Sequence, residues 1–122
     1  MNTTFSDLKG KTLVSATRMD DSVILETVDG WKVTLQHWQD CCECVEIKDI
    51  SGDLSMLLNY PILMAEEVTN DLQDDSDYGI GMWTFYKLAT IKGYVTITWY
   101  GSSNGYYSVD VDCNWTELKK AD

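Results

Sequence analysis

The sequence predicts an α+β fold dominated by a twisted antiparallel β-sheet, with one or two short helices packed on it. Three observations carry this: short runs in which polar and apolar residues alternate, turn-forming residues between those runs, and only one stretch with the punctuation of a helix. Lys11 to Met19 alternates Leu13, Ser15 and Thr17 against Thr12, Val14 and Ala16, and Asp20-Asp21-Ser22 then supplies turn chemistry before a second run, Val23 to Thr27. Val28-Asp29-Gly30 is a hairpin signal, because Asp-Gly tolerates the positive backbone angles of a tight turn, and Trp31 to His37 is the strand expected after it. Cys44 to Lys48 alternates again. Ser51 or Asp53 is placed to cap a helix of at most about two turns at Leu54 to Leu58, which Pro61, the only proline, closes by pushing Tyr60 out of helical geometry. Ile62 to Val68 fits neither period cleanly and is assigned to a strand. Met82 to Ile91 and Tyr94 to Gly101, rich in aromatic and β-branched residues and joined by Lys92-Gly93, form the clearest hairpin. Ser102-Ser103-Asn104-Gly105 then turns the chain into Tyr106 to Cys113, so three consecutive antiparallel strands are expected to close the sheet.

A chain of 122 residues accommodates one core, so residues 1–122 are read as a single domain. Nine basic against 20 acidic residues give a net charge of -11. Residues 1–37 carry 4 bases and 5 acids, residues 38–77 carry 1 and 11, and residues 78–122 carry 4 and 4, so the excess lies in the middle third. This balance argues against a phosphate track for duplex nucleic acid, which needs clustered Lys and Arg. The densest acidic stretch, Glu66 to Asp77, reads first as a solvated loop. No apolar run is long enough to span a bilayer, and Met1 to Asp7 lacks the basic start and apolar stretch of a signal peptide, so a cytoplasmic location is expected. Cys41, Cys42, Cys44 and Cys113 are accordingly read as buried free thiols.

His37 with Cys41, Cys42 and Cys44 offers zinc-type ligands, but adjacent cysteines on an extended chain point to opposite sides and no C-x-x-C pair is present. A nucleophile made of His37 with Cys41 or Cys42 lacks an orienting partner. The sequence contains no G-x-S-x-G, H-E-x-x-H or phosphate-cradling glycine loop. No catalytic residue, metal or cofactor is therefore assigned, and paired carboxylates remain open. More telling are Trp83, Phe85, Tyr86, Tyr94, Trp99, Tyr100, Tyr106 and Tyr107, eight rings within 25 residues. Strand alternation sets Trp83 and Phe85 opposite Tyr86, and Tyr94 and Tyr100 opposite Trp99. Any single ring is readily core, yet both faces of so small a sheet cannot be equally buried. Rings on the second face, beside Ser102-Ser103-Asn104-Gly105, form a platform for a flat ligand such as a purine or for a second subunit, with Asn104 and hydroxyls such as Ser103 available for polar contacts.

Five blocks carry a resemblance: Trp38-Gln39-Asp40-Cys41-Cys42-Glu43; Ile50-Ser51-Gly52-Asp53-Leu54; Pro61-Ile62-Leu63 with Ala65-Glu66-Glu67; Trp83-Thr84-Phe85-Tyr86-Lys87; and Trp99 through Tyr107. Together they resemble, over roughly residues 8–113, the phage and prophage anti-Thoeris proteins, a family of Thoeris anti-defence sponges. The resemblance implies a non-enzymatic, homo-oligomeric protein of the infected host's cytoplasm. It would bind glycocyclic ADP-ribose, a cyclic ADP-ribose-type signal, without cleaving it and so withhold it from an immune effector. Pockets at subunit contacts are implied, and some members hold cyclic oligonucleotides elsewhere, although the scarcity of Arg speaks against that here. By position, Tyr94 would stack on the ligand and Asn104 would hydrogen-bond to it; Trp83, Phe85, Tyr106 and Tyr107 would be pocket walls. Arg18 is either a phosphate contact or a surface charge beside Asp20 and Asp21. The competing reading is an acidic protein-interaction inhibitor, such as an anti-CRISPR or nuclease inhibitor, that presents Glu66 to Asp77 as a nucleic-acid mimic.

Overall fold

Alternating burial organises the first half of the chain. Val23, Leu25, Val33 and Leu35 are fully buried while Ser22, Ile24, Thr34 and Gln36 point the other way. In the computed structural model, which describes residues 4–38, 43–70, 73–75, 79–103 and 109–118, these belong to the first of two antiparallel sheets. It contains β1 (Leu13–Arg18), β2 (Ser22–Thr27), β3 (Trp31–Gln36) and β9 (Asp112–Glu117), in that spatial order. The second sheet has the order β4 (Cys44–Ser51), β8 (Gly93–Ser103), β7 (Gly79–Thr90), β5 (Met64–Thr69), and β6 (Gln73–Asp75) lies opposite Gly79–Gly81 of β7. Both sheets feed one core, in which Val23, Leu25, Val33 and Leu35 join Ile47, Tyr86, Leu88, Val95, Ile97 and Trp99.

The fold is thus nearly all-β, and the helical part of the α+β expectation is corrected. The described helical elements are two four-residue 3₁₀ turns, Phe5–Leu8 and Leu54–Leu57. The second falls where a helix was expected, with the Asp53 carboxylate accepting from the Ser55 amide at 2.9 Å. It cannot lengthen, because Leu58 is already extended and bridges Leu13. The first, which the sequence reading passed over, has the Thr4 amide donating to the Asp7 carboxylate at 2.6 Å and buries Phe5 and Leu8.

A second correction concerns the last strand. Of the run expected to extend the β7–β8 hairpin, Tyr106 to Cys113, only Asp112 and Cys113 fall in a described strand; that strand, β9, starts later than expected and pairs with β3 in the other sheet, matching Trp115 to Val33 and Cys113 to Leu35. The reason is occupancy of edges: β8 is flanked by β7 and β4, whereas β3 has a free side beside its two fully buried residues. The single expected sheet is therefore two. The hairpin loop also shifts by one residue, to Ile91-Lys92, because the Thr90 hydroxyl accepts the Lys92 amide at 3.2 Å and donates to the Met56 carbonyl at 2.5 Å. In β4 the register skips between Ile47 and Asp49, so Ile47 and Ile50 both face the core.

Candidate functional site: an outward aromatic face

The β7–β8 register sorts every side chain of the hairpin. Thr84, Tyr86 and Leu88 of β7 and Val95, Ile97 and Trp99 of β8 point inward and are buried. The outward set is Trp83, Phe85 and Lys87 opposite Tyr100, Thr98 and Thr96. On β5, Val68 lies across from Phe85 and Glu66 across from Lys87; on β4, Glu46 lies across from Tyr100 and Asp49 from Thr98.

Three of the outward residues form one aromatic surface. The Trp83 and Tyr100 rings are 4.7 Å apart at 51°, and those of Trp83 and Phe85 are 6.3 Å apart and within 13° of parallel. Gly81 makes room for this arrangement, since a Cβ there would stand 2.7 Å from Tyr100 Cζ, in the space the Tyr100 ring occupies. Each ring is only partly buried, and Val68, 37% exposed, extends the apolar surface beside Phe85. Such a surface stacks flat rings, and Thr96 and Thr98 set hydroxyls at its edge.

Of the residues expected at the site, Trp83 and Phe85 are together. Tyr94 shares the outward face but stands six residues along β8 from Tyr100, about 20 Å away at the rise of a strand. It is 73% exposed, near the exposed Ile91 of the hairpin loop and the exposed Leu63 that precedes β5. Ser103 is 1% exposed at the other end of β8. Arg18 is exposed at the end of β1, in the other sheet. Asn104, Tyr106 and Tyr107 lie outside the described residues, as do Cys41 and Cys42. Tyr100 is one of the platform rings of the sequence reading without being assigned a ligand role, and Lys87, Thr96 and Thr98 are not placed at the site by it; the signal was available, because pairing the two alternating runs across their loop puts all four beside Trp83 and Phe85.

His37 has a different role from those considered for it. Its Nε2 lies 2.8 Å from Glu43 Oε2 and its Nδ1 2.7 Å from the Asp110 carbonyl, with both side chains almost wholly buried. Both ring nitrogens are engaged, so metal ligation or base catalysis by His37 would require breaking one of these contacts. The pair ties the end of β3 to the start of β4 and to the segment entering β9.

A family model described as a domain of unknown function, DUF7448, matches residues 6–113. The chain belongs to that family. The DUF7448 match runs from the first 3₁₀ turn into β9 and contains the whole aromatic face. No curated protein and no solved structure matches the chain. No helix among the described residues is long and apolar enough to cross a membrane.

Proposed function

We propose that this protein is a phage-type anti-defence sponge. It binds a cyclic ADP-ribose-type nucleotide, glycocyclic ADP-ribose, in the host cytoplasm without degrading it, as a homo-oligomer, and so blocks a bacterial immune effector. The observation that carries the reading is the outward surface of Trp83, Phe85 and Tyr100. The inner faces of both sheets already fill the core, so these rings are available for stacking. The sequence resemblance supplies the ligand. Sequestration at nanomolar concentration corresponds to about -12 kcal/mol, which a small nucleotide reaches only when largely enclosed. An open sheet face covers one side of a ligand, and a second copy of the chain would cover the other.

The test is to mix the protein with glycocyclic ADP-ribose, filter the protein away, and quantify free nucleotide by mass spectrometry before and after heating the protein fraction. Depletion followed by release of unchanged nucleotide is the expected result. A new product mass would make the protein an enzyme. Undiminished free nucleotide would sink the sponge reading and leave the acidic inhibitor built on Glu66 to Asp77. Trp83→Ala is expected to abolish depletion while leaving the melting temperature within a few degrees of wild type, since the ring lies outside the core.

A further inference from the structure

We propose that Lys87 is the charge reader of the aromatic face: a planar ligand stacked on Trp83 and Phe85 sets a phosphate on the Lys87 ammonium, so the face takes nucleotides in preference to uncharged nucleosides. This rests on the reading that the face binds a nucleotide.

Placement is the first argument. Trp83, Phe85 and Lys87 follow one another at every second position of β7 and all point outward. At the rise of a strand, Lys87 is rooted about 7 Å from Phe85 and about 13 Å from Trp83, a spacing suited to a base and its 5′-phosphate. Thr96 stands directly across from Lys87 and Thr98 across from Phe85, so hydroxyls line the interval a sugar would span.

Charge is the second argument. Lys48 is held 2.6 Å from Glu46, Lys11 is held 2.6 Å from Asp29, and the Lys92 ammonium sits 5.1 Å from the centre of the Tyr60 ring. Lys87 has no ion pair and no hydrogen bond among the described residues, although Glu66 is its cross-strand neighbour. It is partly buried, which limits the freedom of its stem. In a chain of net charge -11, an ammonium without a fixed carboxylate partner, next to Phe85 on the face that carries the three rings, is the local feature that favours an anion. Glu66 and Asp49 flank the same face and oppose that anion, so Glu66 tunes the strength of the contact.

The experiment measures binding of glycocyclic ADP-ribose, AMP and adenosine to the full-length protein and to Lys87→Gln, Lys87→Arg, Glu66→Gln and Trp83→Ala at low and high salt. Lys87→Gln is expected to weaken both phosphate-bearing ligands about tenfold, the size of one charge-assisted hydrogen bond, and to leave adenosine unchanged. It should also flatten the salt dependence, Lys87→Arg should restore it, and Glu66→Gln should tighten the phosphate-bearing ligands. Equal weakening of all three ligands by Lys87→Gln, or no change in any, would overturn the role of Lys87 while binding that is lost in Trp83→Ala keeps the face as the site. If wild type binds none of the three, the nucleotide reading and the role of Lys87 fall together.

Discussion

Tyr86 is the polar hinge of the core, and removing its hydroxyl alone gives a calculable effect. The side chain is fully buried, its ring lies 4.6 Å from Phe5, and its hydroxyl donates to Glu67 Oε2 at 2.6 Å with the Val111 carbonyl at 3.3 Å. Tyr86→Phe keeps the ring and its packing. A hydrogen bond to a charged group contributes about 1.5–3 kcal/mol, and because Glu67 is exposed and regains water, the lower end, about 1.5 kcal/mol, is expected. For a chain of this size that corresponds to a melting temperature lower by about 5–9 °C. Burial, reinforced by Glu67, pushes the Tyr86 phenol well above its ordinary value. The sign follows: the unfolded chain ionises this group near pH 10 while the folded chain does not, so its contribution is complete below pH 10 and is lost above it. The loss is about 1.4 kcal/mol per pH unit, and Phe has no proton to lose. The difference between wild type and Tyr86→Phe should therefore narrow from pH 10 upward and vanish near pH 11. Urea unfolding followed by tryptophan fluorescence at pH 7, 9, 10 and 11 measures this. A difference that stays constant between pH 9 and 11, or one under about 0.5 kcal/mol at pH 7, would refute the assignment of Tyr86 as a buried neutral donor.

Other substitutions probe other parts of the molecule. Gly101→Ala should cost about 1–3 kcal/mol in urea unfolding, since its Cβ would stand 2.8 Å from Val109 Cβ and 2.9 Å from the Val109 carbonyl oxygen. The atoms nearest the Gly81→Ala methyl all belong to the Tyr100 side chain, so it should displace that ring from Trp83 and reduce nucleotide retention with a smaller loss of stability. His37→Ala removes one hydrogen-bond partner of a buried carboxylate and should destabilise by about 1–3 kcal/mol by the same assay. Burial pushes the Cys113 thiol up to about 12, so iodoacetamide at pH 8 should modify the exposed Cys44 within minutes and Cys113 only in denaturant, as read by peptide mass spectrometry. Because the thiol of the unfolded chain ionises first, that burial favours folding below about pH 9 and ceases to do so as pH climbs toward 12.

Local pattern carried most of the strands and little of their arrangement. β1, β2 and β3 were legible because their alternation is clean and Asp29-Gly30 punctuates it. The partner of β9 was not, since which edge stays open depends on where β4 lands, some 50 residues from its partner β8. Two-faced strands also hid part of the site. Trp83 and Phe85 stood out as rings, whereas Lys87, Thr96 and Thr98 are unremarkable residues that acquire meaning only from the β7–β8 register. The Glu43 partner of His37 is not legible in the sequence, because three cysteines beside it are equally plausible partners by spacing and nothing there says that both imidazole nitrogens are engaged.

The distant closures, β3 with β9 and β4 with β8, also order events in time. As the chain leaves the ribosome, β1 to β3 can pair at once, but β3 keeps an open edge until residue 117 has emerged, and β4 waits for residues 93 to 103. Neither sheet is complete without the last quarter of the sequence. Folding should therefore be late, cooperative and slow relative to a helical protein of equal length, because loop closure must precede any gain from these contacts. A nascent or truncated chain ending before β9 would present the β3 edge to other strands, so the C-terminal strand guards the N-terminal sheet against self-association.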